Sequence, residues 1–367
     1  MSKQIKKYLE INVLTAAKER IKKLINLFDT LIVCFSGGKD SLVVLYLMQE
    51  VYDELGIKEK LKVIFRDEEV IPDDVIDFVQ DIYRSGKFDF YYYCIPLKSE
   101  KFILGNKEPY IQWDKNREHI RPIPDFAITD WDNIYDQYSA DEFITRNHKG
   151  KKVLITGIRA DESLVRLRSI VNKKNDSYYA ATTTKGVMIG KPIYDWTEKD
   201  IFKYMMEKNI KYAKIYDAQL FNGESLRVST PLHAESSKRI FKIKTRYPIF
   251  WNQLVHLFPD IELQARYYGD LSKGNVFKNY PVGVEGIRKF IQDNIDEDYQ
   301  AIANKRLNMS LTFRANNMRK GATNYGGYPI LYLFKQFING NYKRVIQPKK
   351  SPTKDEIEYE NQIKNAI

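Results

Sequence analysis

The sequence of 367 residues contains only two cysteines, Cys34 and Cys94, and four histidines. Two cysteines cannot build a disulfide scaffold or, within this chain, a four-cysteine zinc or iron–sulfur site. The histidines show no ligand spacing, so we expect no zinc. No apolar run approaches the roughly 18 residues of a membrane span, and the first residues lack the pattern of a signal peptide. We therefore expect a cytoplasmic protein with no membrane partner and no iron–sulfur cluster.

Positive charge is concentrated in the C-terminal third. The chain has 59 Lys and Arg against 48 Asp and Glu, a formal net charge of +11. Residues 231–350 hold 20 basic and 9 acidic residues, residues 1–230 hold 37 and 35, and residues 351–367 hold 2 and 4. We predict a first domain over 1–230, a basic second domain over 231–350 and a polar, frayed tail over 351–367. The basic domain favours an acidic partner such as nucleic acid, with a solvated basic surface as the alternative.

Apolar runs typical of strands alternate with helical patterns in the first 210 residues. The strand-like runs cover residues 31–35, 61–65, 88–97, 151–157 and 187–193. Helical spacing follows the first two of these runs and recurs at 197–208, where Thr197 and Asp200 predict an N-terminal cap. This alternation predicts an α/β fold with a parallel sheet that is covered on both faces. Residues 98–150 have no clean period and are interpreted as an insertion of loops and short helices, and the pattern is mostly helical from about residue 235.

The strongest local signal is a glycine-containing loop between the first strand and its helix. Two glycines let the backbone turn sharply and approach a ligand closely, and the helix start offers free N–H groups and a positive dipole end to an anion. A lysine and two hydroxyl groups add donors that suit a triphosphate or pyrophosphate. The spacing is not that of a Walker A motif. The loop reads Ser36, Gly37, Gly38, Lys39, Asp40 and Ser41.

This loop, with three further segments, resembles the PP-loop ATP pyrophosphatases. Within that superfamily the chain is similar to the branch that contains phosphoadenosine phosphosulfate (PAPS) reductases and the small subunit of sulfate adenylyltransferase. The further segments are the acidic run at 63–79, the Gly-Ile-Arg-Ala-Asp-Glu-Ser run at 157–163 with Arg166, and the Lys-Pro-Ile-Tyr-Asp-Trp-Thr run at 191–197. The resemblance implies a Rossmann-like, adenine-nucleotide α-hydrolase-like fold that binds ATP or a related adenine nucleotide and cleaves it between the α- and β-phosphates. It covers residues 31 to about 210.

The segments suggest roles for particular residues. Gly157 ends a strand where a nucleotide can lie against the backbone, and Arg159 and Arg166 follow at the edge of the sheet where ligands bind. Guanidinium groups suit phosphate or sulfate oxygens, although a salt bridge to Asp161 or Glu162 is the alternative. Asp67 follows the second strand and is a candidate for ribose or Mg²⁺, or a solvated acid at a helix start. Asp40 is a candidate Mg²⁺ ligand, or an acid that the helix dipole favours.

The chain departs from the reductases because no cysteine follows Cys94. Thiol-dependent reduction is therefore disfavoured, and both cysteines are interpreted as buried structural thiols. The run at 113–128 and the basic C-terminal region are similar to the co-activator branch typified by immunoglobulin-binding regulator A. That resemblance implies a ParB-like protein partner, an origin on prophages or mobile elements, and Arg117, His119 and Arg121 as candidate contacts. The alternative to an enzyme is thus a nucleotide-dependent transcriptional or mobile-element co-regulator, with little or no turnover, that acts with DNA or a ParB-like partner.

Overall fold

The computed structural model describes residues 9–171, 178–224, 226–237, 240–271, 276–321 and 324–365. The chain divides into two compact units, residues 1–262 and 263–367. The predicted division at residue 230 does not coincide with this one. The described part of residues 231–262 packs within the first unit, where Tyr110 contacts Phe258 edge to face and Tyr247 donates a 3.0 Å hydrogen bond to Asp74.

The first unit is built on a six-stranded sheet with the order β3-β2-β1-β6-β8-β7. The strands are parallel except β7, which pairs antiparallel with β8. A separate antiparallel hairpin is formed by β4 and β5. The strands are β1 Thr30–Cys34, β2 Lys62–Arg66, β3 Asp89–Tyr93, β4 Leu97–Ile103, β5 Asn106–Gln112, β6 Lys152–Ile155, β7 Tyr179–Ala181 and β8 Val187–Gly190.

Helices cover the sheet and make up most of the second unit. The helices are α1 Val13–Leu27, α2 Lys39–Glu54, α3 Asp73–Arg84, α4 Gln137–Thr145, α5 Leu164–Val171, α6 Glu198–Glu207, α7 Ile215–Phe221, α8 Ala234–Ser237, α9 Phe241–Arg246, α10 Pro248–Leu257, α11 Asp260–Leu271, α12 Val284–Asn294, α13 Glu297–Arg319, α14 Ile330–Ile338 and α15 Lys354–Asn365. Within the described residues no helix is long and apolar enough to span a membrane. The predicted fold class, a mainly parallel α/β sheet followed by a helical region, is confirmed.

The strands at the centre of the sheet are buried on both faces. Leu31, Ile32 and Val33 of β1 are 7% exposed or less, because Leu31 and Val33 pack in one cluster with α2 and its neighbours, and Ile32 packs in another with α4. The cap predicted for α6 is present: the hydroxyl of Thr197 accepts from the backbone N–H of Asp200, and the Asp200 carboxylate accepts from the backbone N–H of Thr197.

Two elements differ from the expectations. The predicted insertion contains the hairpin β4–β5 as well as α4. Charged residues occupy both strands of that hairpin, so the sequence shows no alternation of polar and apolar residues that would predict strands there. Most of the tail is helical over Lys354–Asn365 instead of frayed: α15 buries Glu356, Tyr359 and Glu360, and Glu360 forms an ion pair with Arg314 at 2.7 Å.

Candidate nucleotide site

The loop of residues 36–41 joins the carboxyl end of β1 to the first turn of α2. Gly37 has a φ of +74°, and a Cβ atom there would lie 2.9 Å from Val75, so both the conformation and the space require glycine. The hydroxyl of Ser41 donates to the carbonyl of Gly38 at 2.9 Å and accepts from the backbone N–H of Ser36 at 3.1 Å. The loop is therefore held in one shape by its own side chains before any ligand binds.

Lys39 is the first residue of α2 and is buried beside the loop. Its ammonium group donates to a carboxylate oxygen of Asp40 and to the carbonyl oxygen of Leu226, both at 3.0 Å. Glu198 lies 3.4 Å from the same nitrogen. The backbone N–H of Lys39 donates to the hydroxyl of Tyr216 at 2.8 Å. The charge of Lys39 is thus fixed in place at the start of the helix, where the helix dipole adds to it.

Gly157 brings the end of β6 against the start of α2. A Cβ atom at this position would lie 2.6 Å from the carbonyl carbon of Asp40 and 2.7 Å from the backbone nitrogen of Ser41. Both are backbone atoms, which cannot move aside as the end of a side chain can. Gly157 therefore allows the end of β6 to pack closely against the start of α2. This packing brings the motif of residues 157–163 next to the loop of residues 36–41.

Two arginines follow Gly157. Arg159 is 3% exposed, and its Nε donates to Asp40 at 2.6 Å. Arg166 forms an ion pair with Glu162, and Arg159 lies 4.0 Å from Asp161 and 3.9 Å from Glu162. The salt-bridge alternative is therefore realised for both arginines. Partial burial lowers the pKa of the Arg166 guanidinium, and the nearby positive charge of Arg227 lowers that pKa further.

These residues line one cavity of about 880 Å³, here called the loop cavity. Of the ten predicted site residues, eight lie in its wall together: Ser36, Gly38, Lys39, Asp40, Ser41, Gly157, Arg159 and Arg166. The volume lies in the range of pockets that hold small-molecule ligands and cofactors.

The family described as phosphoadenosine phosphosulfate reductase domain matches residues 30–222, more than half of the chain. The chain belongs to the PAPS reductase domain family. The matched range includes β1, the loop of residues 36–41 and Gly157, and therefore most of the wall of the loop cavity.

Several known proteins resemble this PAPS reductase domain protein. The uncharacterized protein YbdN of Escherichia coli is 29% identical over 236 residues, which cover 60% of this chain and 58% of YbdN. The uncharacterized protein MJ0066 of Methanocaldococcus jannaschii is 25% identical over 236 residues, covering 64% of this chain and 41% of that protein. The chain thus spans less than two thirds of the length of either relative. A crystal structure of FMN adenylyltransferase from Candida glabrata with FAD and inorganic pyrophosphate superposes with a TM-score of 0.40 at 14% identity, covering 58% of this chain and 64% of that one.

Asp67 follows the last residue of β2, away from the wall of the loop cavity. It is not one of the described residues that line the loop cavity, and it is 1% exposed. One carboxylate oxygen accepts from Arg121 at 2.5 Å and the other from the hydroxyl of Tyr92 at 2.6 Å. Arg117 pairs in the same way with buried Glu69. Asp67 therefore stabilises the fold. Its bond to Arg121, like that of Glu69 to Arg117, joins the insertion to the acidic segment that follows β2.

The cysteines differ from each other in their surroundings. Cys94 is fully buried, as predicted. Cys34 ends β1 and lines the loop cavity; the residue as a whole is partly exposed, although its sulfur is buried. Burial of the sulfur raises the pKa of the Cys34 thiol to about 12, with a further contribution from Asp141. The thiol is consequently neutral near pH 7, and a neutral thiol is a poor nucleophile.

Several lining residues carried no signal in the sequence. They are Tyr216, Leu226, Arg227 and His233, which lie after the family motifs and reach the loop cavity only through the fold. Glu198 is the first residue of α6 and also lies in the wall. Among the described residues, no three His, Cys, Asp or Glu side chains lie together as a metal site.

Proposed function

We propose that this protein binds ATP or a related adenine nucleotide in the loop cavity and cleaves it between the α- and β-phosphates. The observation that carries the proposal is the meeting of Lys39, Arg159 and the start of α2 at one cavity wall. Two fixed cations and a set of helix N–H groups stabilise negative charge that develops on phosphate oxygens in the transition state. No general base is evident among these residues.

Each residue of the wall has a proposed task. The backbone of Gly37 and Gly38 approaches the phosphates closely, and the hydroxyl of Ser36 donates to them, while Ser41 keeps its hydrogen bond to Gly38 and holds the loop in shape. Lys39 supplies a point charge, and Arg159 supplies directed donors. Arg166 can turn from Glu162 to the ligand, since its side chain is 39% exposed.

The wall of the loop cavity offers a carboxylate, which is a kind of ligand that Mg²⁺ binds. Mg²⁺ binds through one or two carboxylates together with substrate phosphates, and Asp40 is the carboxylate that lies within the loop. The carboxylate of Asp40 already accepts from Lys39 and Arg159, so one of its oxygens would exchange a protein cation for the metal. Bound there, the ion would neutralise charge on the phosphates.

Thiol-dependent reduction is not part of the proposal. The neutral thiol of Cys34 and the buried Cys94 leave no activated cysteine among the residues of this chain. The cleaved nucleotide would instead donate its adenylyl group to an acceptor or to water, with release of pyrophosphate.

Two measurements test the proposal. At 100 times its dissociation constant, a nucleotide stabilises the folded state by about 2.7 kcal/mol, so a thermal-shift titration with ATP–Mg²⁺, ADP, AMP, PAPS and GTP should single out adenine nucleotides. Product analysis should then find AMP and pyrophosphate in the wild type and neither in Lys39→Ala. The exposed Lys58→Ala serves as the matched control. No stabilisation at millimolar nucleotide, or ADP and phosphate as products lost in Lys39→Ala, would contradict the proposal.

The second candidate function is a nucleotide-dependent co-regulator of the co-activator branch, acting with DNA or a ParB-like partner. The observation in its favour is the basic excess of residues 231–350. Lys320 is exposed at the end of α13 and is free to contact phosphate, whereas Arg314 is occupied by Glu360. Lys238 and Arg239, which are also candidates, lie outside the described residues.

Salt dependence tests this second function. Binding of a defined DNA duplex should weaken with salt, and Lys320→Ala should lower the slope by about one unit. Lys39→Ala in the loop should leave the slope unchanged. No duplex binding at low salt would remove DNA as a direct partner and favour a protein partner.

A further inference from the structure

The loop cavity continues into a second cavity of about 450 Å³, here called the hairpin cavity. The two share Arg227, Ser229 and His233. The far wall of the hairpin cavity belongs to the hairpin β4–β5 and includes Lys101 and Phe102. These three residues form a strip between the two cavities, so a molecule in the hairpin cavity would lie next to a ligand in the loop cavity.

The hairpin is fixed to this strip. The backbone N–H of Phe102 donates to the carbonyl of Leu232 at 2.8 Å. Lys101 forms ion pairs with Glu108 at 2.8 Å and with Asp260 at 3.1 Å. The wall thus has a defined position relative to the loop cavity.

Arg227 is held by its backbone and leaves its guanidinium free. The buried side chain of Gln219 donates to the carbonyl of Arg227 at 2.7 Å and accepts from its N–H at 2.9 Å. In the part of the chain that the structure describes, the guanidinium has no hydrogen-bond or ion-pair partner. Lys101 and Lys107 of the same cavity are both paired with carboxylates. Arg227 is exposed, its backbone is fixed, and it lies where the two cavities join. A guanidinium that has no acid of its own at such a place is suited to an anion.

We propose that the hairpin cavity binds the acceptor of the adenylyl group and that this acceptor is an organic acid. Its carboxylate would lie on Arg227 and His233, and its apolar body would pack on Phe102 and Ala234. The cavity is larger than an inorganic anion needs, and the aromatic ring in its wall contributes nothing to such an ion. This inference rests on the proposed function, for which it names the substrate class.

The chemistry agrees with the absence of an evident base. A carboxylate oxygen attacks the α-phosphorus and forms a new P–O bond, while the bond to the oxygen that bridges to the β-phosphate breaks. Pyrophosphate leaves with that electron pair, and an acyl adenylate remains. A carboxylate arrives already deprotonated near pH 7, so the step needs no proton acceptor.

The test uses the full chain saturated with α,β-methylene ATP, which cannot be cleaved at this bond. The affinity of this analogue is measured first, and then benzoate, acetate and inorganic sulfate are titrated in separate arms. Benzoate should bind saturably and more tightly than acetate or sulfate. Arg227→Ala should weaken the binding of benzoate by about tenfold, the effect of losing a hydrogen bond to a charged group. The affinity of the analogue should fall by a smaller factor, because Arg227 also lines the loop cavity.

Two variants sharpen the outcome. Phe102→Ala should weaken the binding of benzoate and leave the binding of acetate unaffected. Arg84 is an exposed arginine on α3, and Arg84→Ala should change neither affinity. Three results would each overturn the subsite: equal affinity for sulfate and benzoate, benzoate binding that survives Arg227→Ala, or an Arg227→Ala variant that weakens the analogue as much as it weakens benzoate. If the analogue itself fails to bind, the proposed nucleotide function fails. The benzoate titration of the free chain, with and without Arg227→Ala, then decides the subsite by the same criteria.

Discussion

The guanidinium of Arg159 donates a 2.6 Å hydrogen bond to the carboxylate of Asp40, and this bond joins two motifs that lie 119 residues apart in the chain. Lys39 donates to the other oxygen of the same carboxylate at 3.0 Å. One acid therefore holds two cations at the edge of the loop cavity. The same acid also reduces the positive potential that a nucleotide would meet.

Because of this arrangement, we expect substitution of Asp40 to change the affinity for ATP in opposite directions with and without magnesium. Asp40→Asn removes the negative charge between Lys39 and Arg159, so metal-free ATP in EDTA should bind more tightly, by about tenfold. ATP–Mg²⁺ should bind more weakly, because the variant lacks the carboxylate proposed for the metal. Calorimetric titrations in both conditions measure the two affinities, and Asp81→Asn on the exposed side of α3 is the control. Equal gains in both conditions would remove Asp40 as a magnesium ligand.

Gly157→Ala should damage the site more than the general fold. The new Cβ atom would lie within 2.7 Å of the backbone of α2, and overpacking of this kind costs about 1–3 kcal/mol. The loop should shift, and the stabilisation by ATP should fall with it. Gly56→Ala is the control, since it has a φ of +67° in open space and should lose about 1 kcal/mol from backbone strain while it keeps nucleotide binding. A folded Gly157→Ala protein with wild-type nucleotide affinity would contradict this account.

The thiol of Cys34 should be unreactive at pH 8 although it lines the cavity. Its pKa is raised from 9.0 to about 12, so the folded chain keeps a proton that the unfolded chain loses above pH 9. The free energy of unfolding should therefore fall as the pH rises from 9 toward 12, and the fall should be smaller in Cys34→Ala. Labelling with a thiol reagent across this range, with unfolded protein as the reference, measures the reactivity. Rapid labelling of the folded chain at pH 8 would show an activated thiol.

Glu360→Gln should lower the free energy of unfolding of the second unit. The carboxylate of Glu360 is 3% exposed and pairs with Arg314 through both oxygens. Removal of one partner from a buried pair costs about 3–5 kcal/mol. Denaturant unfolding should show the loss, and the exposed Glu358→Gln should leave the transition near that of the wild type. Identical transitions for the two variants would show that α15 contributes little to stability.

Local patterns were sufficient for much of the fold. The apolar runs at 31–35 and 61–65 predicted β1 and β2, because strands buried on both faces require continuous apolar residues. The cap at Thr197 was predicted from two residues because its hydrogen bonds are local. The hairpin β4–β5 was missed because its charged residues hide the alternation that marks a strand. The tail was misjudged because Glu360 is polar by composition but buried by its pairing with Arg314.

By itself, the sequence determined the parallel α/β fold, the loop of residues 36–41 and the adjacent arginine motif, since each depends on residues that are neighbours in the chain. Only the tertiary structure decided which of them share a cavity. It placed Gly157 and Arg159 against the loop, turned Asp67 toward Arg121, and brought Arg227 and Arg166 into the wall of one cavity. These contacts join residues far apart in sequence, and no local pattern encodes them, because they arise when strand order sets which loops meet at the carboxyl edge of the sheet.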